Sequence, residues 1–168
     1  MNKIKLNFLL VLSFVVSAAI PNPPDLGVGS YVLYEPNTKK VLVSFNADEP
    51  VQPASLTKLM TSYVVADYIK EDFIRLDDTP KISIKAWKTE GSRMFIREGT
   101  KVAVSDLIKG MIIQSGNDAS VALAEHVAGS EENFAYLMNE YASQLGMQNS
   151  SFNNSSGLPD PLSVTSAY

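Results

Sequence analysis

Ser55 and Lys58 form the only Ser-x-x-Lys pair in the chain, inside the stretch "PASLTKLMTSYVV". Three residues apart on a helix, the two side chains share one side and reach each other, so the amine can serve as base for the hydroxyl. The pair alone is a weak signal, because common residue frequencies produce one by chance about once in a chain of this length. Its setting strengthens it. Ser55 stands at the expected start of a helix, where unpaired backbone N–H groups and the positive end of the dipole favour negative charge at a nucleophile. Lys58 lies between Leu56 and Leu59, and burial beside such residues lowers an amine's pKa. An ordinary lysine near 10.4 is neutral in about one molecule in 2,500 at pH 7, and bringing it to about 7 to 8 costs roughly 4 kcal/mol of differential solvation. A working site has to supply that from its surroundings.

A second hydroxyl comes from Ser-x-Asn matches, of which Ser115-Gly116-Asn117 and Ser151-Phe152-Asn153 need weighing. The latter sits in a loop of Ser and Asn. The former interrupts an apolar helical pattern, with Gly116 expected to supply a tight turn before the next helix. Ser115 and Asn117 could simply cap that junction, or present their side chains to a cleft while doing so. His126 lies within "DASVALAEHVAG" without a second His or any Cys nearby, so it reads as a packed or surface residue, and no metal site is expected.

These residues need elements to hold them. Composition, 45% hydrophobic and 19% charged over 168 residues, allows about one domain with a real core. Lys3 and Lys5 precede an apolar run from Phe8 to Val16, and Val16-Ser17-Ala18 offers small residues for cleavage, so residues 1–18 read as an export signal peptide. Loss of that leader takes the formal net charge from −4 to −6, which excludes a basic nucleic-acid footprint. With no cysteine, an exported chain must rely on packing. The runs "SYVLY" and "VLVSF", separated by a Pro- and Asn-containing turn, predict a hairpin over Ser30 to Phe45. Leu56, Leu59, Met60, Tyr63 and Val64 recur at helical spacing and predict a helix burying that stripe. Lys81 to Val104 reads as short strands and loop. Ser105-Asp106 is expected to cap a helix through Ile113, a further helix spans about Asp118 to Ala128, and another runs from Glu131 to Leu145 with Gly146 as its stop. The remainder is polar and turn-rich.

Ser-x-x-K followed by a Ser-x-Asn-type motif and a later Lys-Thr-Gly marks penicillin-binding proteins and class A β-lactamases. The stretches "ASLTKLMTSYVV" and "LIKGMIIQSGNDASVALAEHVAGS" resemble the low-molecular-weight penicillin-binding proteins that act as D-alanyl-D-alanine carboxypeptidases, as do "NTKKVLVSFNADEP" and "LGMQNSSFNNSSGL". The resemblance runs in order from Asp25 to Tyr168. It implies an α/β (α+β) fold of the β-lactamase/transpeptidase type, with a helical cluster packed on an antiparallel sheet. It also implies Ser55 as the nucleophile toward a peptidoglycan stem peptide ending in D-Ala-D-Ala, Lys58 as its base, Ser115 as proton relay and Asn117 as the holder of the substrate amide. The Ser55 backbone N–H would form half of an oxyanion hole. β-Lactam antibiotics would acylate the same serine, and no cofactor is called for.

The third motif is missing from these 168 residues, since Lys88-Thr89-Glu90 lies upstream of Ser115 and lacks the glycine. Residues 19–168 therefore read as the N-terminal portion of the catalytic domain, incomplete in its C-terminal sheet strands, with poor activity expected of this chain alone. A location in the periplasm or on the outer face of the cytoplasmic membrane follows from the leader, whereas membrane attachment is not inferable. An inactive penicillin- or peptidoglycan-binding remnant is the alternative from another class, and a class A β-lactamase is disfavoured because no deacylating Glu-x-x-Leu-Asn segment follows Asn117.

Overall fold

A computed structural model describes residues 24–168. The expected leader lies outside the described residues. Strands β1 (Tyr31–Glu35) and β2 (Lys40–Phe45) form the expected antiparallel hairpin, with Tyr31 opposite Phe45, Glu35 opposite Lys40, and a bulge between Leu33 and Tyr34. The turn is organised by a residue that the sequence reading passed over. The Glu35 carboxylate accepts from the Asn37 and Thr38 amides, the Asn37 side chain and the Thr38 hydroxyl. Those donors, led by the Thr38 hydroxyl, pull its carboxyl down to about 2.

A single 3-10 turn, Ala54–Leu56, then leads into α1 (Thr57–Lys70). After it come α2 (Ile84–Lys88), α3 (Val104–Ile113), α4 (Asn117–Ala128) and α5 (Glu131–Gln144). Helix α4 packs against α1, α2, α3 and α5. Its first eight residues, Asn117 to Ala124, are all buried. Four of those eight are Ala or Ser at positions 119, 120, 122 and 124, and such short side chains let neighbouring helices approach closely. Leu107 and Met111 of α3, Val64 and Val65 of α1, and Phe134 and Met138 of α5 complete the core around Val121 and Leu123.

The structure corrects three local expectations. Helix α1 buries Met60 and Val64, as the stripe implied, but Leu56, Leu59 and Tyr63 are 67%, 71% and 47% exposed. The face turned to the core carries Thr57, Lys58, Thr61 and Val65 instead. Hydrophobic periodicity is blind to buried polar residues such as Lys58 and Thr61, which partners elsewhere satisfy. The exposed residues line an open groove of about 330 Å³ with Leu145, Met147 and Phe152.

Between Lys81 and Val104 only an isolated bridge, Lys81 to Lys101, has strand character. Residues read as an alternating strand form α2, begun by the Ser83 hydroxyl accepting from the Ala86 amide. Helix α3 starts one residue before Ser105, with Ala103 as its N-cap and no side-chain cap. The α4 and α5 predictions hold, including Gly146 in the left-handed region after α5. The tail from Leu145 onward is the expected irregular segment, tied by bridges from Ser151 to Val164 and from Val51 to Thr165.

The expected fold class is there: helices clustered on one another with a small antiparallel sheet. That sheet has two strands among the described residues, and no helix packs against it.

Candidate active site

Ser55 sits in the middle of the 3-10 turn, two residues before α1 begins rather than at the start of the helix as expected, and is exposed. Lys58 follows in the first turn of α1 and is 7% exposed. The turn is held from behind by a close approach. A Cβ at position 157 would fall 1.7 Å from the Ala54 carbonyl oxygen, and Gly157 has φ +79°, so only glycine fits. Ala54 itself has φ +47°, a strained value for a non-glycine residue next to Ser55.

The lysine Nζ has three partners. It lies 2.6 Å from the Ser156 carbonyl oxygen, 2.7 Å from Asn117 Oδ1 and 3.4 Å from Ser55 Oγ. Burial pushes its pKa below the ordinary lysine value. Once neutral, an amine keeps two N–H donors and one lone pair. The two short contacts occupy both donors, which leaves the lone pair for the third direction, toward Ser55 Oγ. In that neutral state the arrangement fixes the direction in which a proton would be accepted.

Ser115 reaches the same hydroxyl from the α3–α4 junction, donating from its Oγ to Ser55 Oγ at 3.1 Å. The expectation for Gly116 fails in an informative way. Gly116 is extended (φ −64°, ψ 113°), and Ser115 is the residue in the left-handed region, at φ +53°. What Gly116 supplies is space: a Cβ there would lie 3.0 Å from Asp118 Oδ1 and 3.1 Å from the Gly110 carbonyl oxygen. Simple capping does not describe the junction either, since Gly116 is the N-cap of α4 and no side chain caps it.

Asn117 is buried and doubly bound, accepting from Lys58 at Oδ1 and donating from Nδ2 to the Glu90 carbonyl oxygen at 2.7 Å. Its amide donates to the Ser92 carbonyl oxygen at 2.7 Å. The structure therefore brings Ser55, Lys58, Ser115 and Asn117 together, across about sixty residues of chain. Ser151 and Asn153 lie elsewhere, in the tail, with the Asn153 side chain bound to Asp160. His126 faces Asp78 at 3.2 Å, away from these groups.

Several supporting residues escaped the sequence reading. The fully buried Asp118 carboxylate accepts from the Met94 and Ile96 amides at 3.0 and 3.2 Å, strapping the 90–96 loop to the start of α4. Thr61 donates to the Ser155 carbonyl oxygen at 2.7 Å. Ser156, whose carbonyl receives the lysine, lay in what read as a polar tail. An acid just inside a helix start was a visible cue for Asp118. Nothing local marked Ser156.

The family model described as D-alanyl-D-alanine carboxypeptidase matches residues 17–168. The D-alanyl-D-alanine carboxypeptidase DacC of Escherichia coli is 46% identical over 150 residues, covering 86% of this chain and 38% of that protein. Penicillin binding protein 5 from Haemophilus influenzae superposes with a TM-score of 0.84 at 43% identity, over 88% of this chain and 44% of its own. Penicillin-Binding Protein D2 from Listeria monocytogenes, solved in an ampicillin-bound form, superposes at 0.77 with 25% identity over 88% of this chain and 59% of its own. The chain thus spans about two-fifths of the length of the curated relatives it matches. With a family match over most of the sequence and the Ser55–Lys58–Ser115 cluster assembled, the chain belongs to the D-alanyl-D-alanine carboxypeptidase family.

Proposed function

We propose that this cluster is the acylation centre of a serine-type D-Ala-D-Ala carboxypeptidase acting on peptidoglycan stem peptides. The observation that carries the reading is the count of partners around Lys58: two short acceptors for two hydrogens, and a lone pair left for Ser55. Neutral Lys58 takes the Ser55 proton as Oγ adds to the carbonyl carbon between the two D-alanines. The tetrahedral adduct collapses with cleavage of the C–N bond. Ser115, in contact with Ser55 Oγ, gives its hydroxyl proton to the leaving D-alanine nitrogen and is reprotonated by the Lys58 ammonium, so the amine is neutral again and the shortened peptide remains as an ester on Ser55. Water then hydrolyses the ester, regenerating the hydroxyl and the shortened stem peptide. Of the two Asn117 Nδ2 hydrogens one is engaged by Glu90, which leaves the second for a substrate carbonyl.

β-Lactams acylate the same serine in this reading, which the ampicillin-bound neighbour supports. The substrate lies outside the cytoplasmic membrane, so the N-terminal leader is proposed to direct export. No helix among the described residues is long and apolar enough to cross a membrane. The test is covalent labelling of the chain with a fluorescent penicillin, followed by D-alanine release from a peptide ending in D-Ala-D-Ala. Labelling that disappears in Ser55→Ala supports the nucleophile, and release of D-alanine supports turnover. Labelling that survives the substitution overturns the assignment.

A further inference from the structure

The closest partner of Lys58 is a backbone carbonyl that belongs to neither a helix nor a strand. Ser156 lies 98 residues further along the chain, in the turn Asn154-Ser155-Ser156-Gly157, and what fixes that turn is a set of side chains. Glu131 Oε1 accepts from the Ser155 amide at 3.0 Å and from the Ser155 hydroxyl at 2.8 Å. Thr61 donates to the carbonyl of the same residue at 2.7 Å. Asn154 Oδ1 closes the turn by accepting from the Gly157 amide at 2.7 Å.

Of these groups Glu131 is the one that ties the turn to two helices at once, α5 and α2. It opens α5, is 8% exposed, and its other oxygen, Oε2, lies 3.0 Å from Lys85 Nζ of α2. A carboxylate in the first turn of a helix is favoured by the dipole, and here it is also neutralised by a cation. The carboxylate does not touch Ser55, Lys58 or Ser115. Its two bonds end on Ser155, the residue before the one whose carbonyl receives Lys58.

We propose that Glu131 is a positioning residue for Lys58, acting through the Ser155–Ser156 turn that it clamps. The inference rests on the reading of Lys58 as the base. Without the clamp the Ser156 carbonyl is free to move, one amine hydrogen loses its acceptor, and the lone pair is no longer confined to the Ser55 direction. Water also gains access to the amine, and burial is what holds its pKa down.

The role separates from a plain contribution to stability, and from a through-space charge effect, by following the ionisation of Lys58 directly. The probe is an NMR titration of chain labelled with 13C at lysine Cε, with the Lys58 signal assigned by its loss in Lys58→Arg. In Glu131→Ala the Lys58 midpoint moves up toward the ordinary lysine value. In Glu131→Gln, which keeps an acceptor for Ser155, it stays within about 0.3 units. A charge effect would instead lower the midpoint in both variants, and a purely structural role would lower the melting temperature and leave the midpoint in place. Either result overturns the proposal.

Penicillin acylation adds a second readout, with a loss of about tenfold or more in Glu131→Ala and recovery in Glu131→Gln, the scale expected when a reacting group is misplaced by a fraction of an ångström. If Ser55→Ala still labels, the function reading fails while the titration still decides the clamp. If Glu131→Ala does not fold, Ser155→Ala removes one of the two clamping bonds and spares the Glu131–Lys85 pair. A smaller upward shift there supports the clamp, and an unchanged midpoint overturns it.

Discussion

The hairpin and the first two turns of α4 invert what hydrophobicity alone would assign. Tyr31 to Phe45 carries Leu33, Tyr34, Val41, Leu42 and Phe45, and none of its strand residues is buried. Asn117 to Ala124 carries an amide, a carboxylate, a hydroxyl and mostly small apolar groups, yet all eight are buried. The difference is the number of neighbours. Helix α4 is enclosed by four other helices, whereas among the described residues no helix packs on β1 or β2, which pair with each other. A two-stranded hairpin is marginal in water, and its free edges offer unpaired backbone groups to other chains. The chemistry follows the enclosed region. Asn117 sits at the buried end of α4, and Ser115 precedes it by two residues, so both inherit the rigidity of the core.

That contrast can be broken by experiment, and the largest expected effect is in the core. Leu123→Ala removes a fully buried side chain from α4 and is expected to lower stability by about 2–5 kcal/mol. Leu42→Ala, at an exposed hairpin position, is expected to change it by no more than about 0.5 kcal/mol. Urea melts of the two variants decide, and equal losses would refute the contrast. Next comes Asp118→Ala. It strips acceptors from the Met94 and Ile96 amides at a cost of about 1–3 kcal/mol, and hydrogen exchange across residues 90–96 accelerates while the hairpin amides are unaffected.

A pH series sharpens the comparison further. Burial holds Lys58 below 10.5, so between its depressed value and 10.5 the unfolded chain binds the proton more tightly than the native one. Stability then rises with pH across that window. In Lys58→Met this contribution to the slope disappears, which melting temperatures from neutral to alkaline pH would reveal. The smallest effect belongs to the hairpin. Glu35 is lowered from 4.5 to about 2, so its contribution is complete above 4.5 and fades as pH falls through about 2. Exchange protection of the Asn37 and Thr38 amides should fade over that interval and disappear at all pH values in Glu35→Ala.

The four residues of the cluster were easier to pick out in the sequence than the elements that bring them together. Ser55, Lys58, Ser115 and Asn117 were legible because they recur as short spaced motifs, and α4 and α5 because their apolar periodicity is regular. The inward face of α1 was not, because Lys58 and Thr61 face inward on account of partners about 60 to 100 residues away, namely Asn117, Ser155 and Ser156. Helix α2 was misread because five residues are too few for periodicity to separate helix from strand, and the deciding feature was the Ser83 cap. The 154–157 turn looked like solvent-facing polar chain. Its four residues are polar or small, and only tertiary bonds reveal that Ser155 and Ser156 are buried.

The left-handed backbone at Ser115 also limits which amino acids the position can accept. Glycine would relax the backbone and delete the hydroxyl that meets Ser55. Threonine would keep the hydroxyl and add a branch that this conformation penalises. Asparagine tolerates the geometry, yet it presents an amide on a longer stem. Two independent demands, one from the main chain and one from the site, therefore intersect on serine, and a substitution that satisfies either one fails the other.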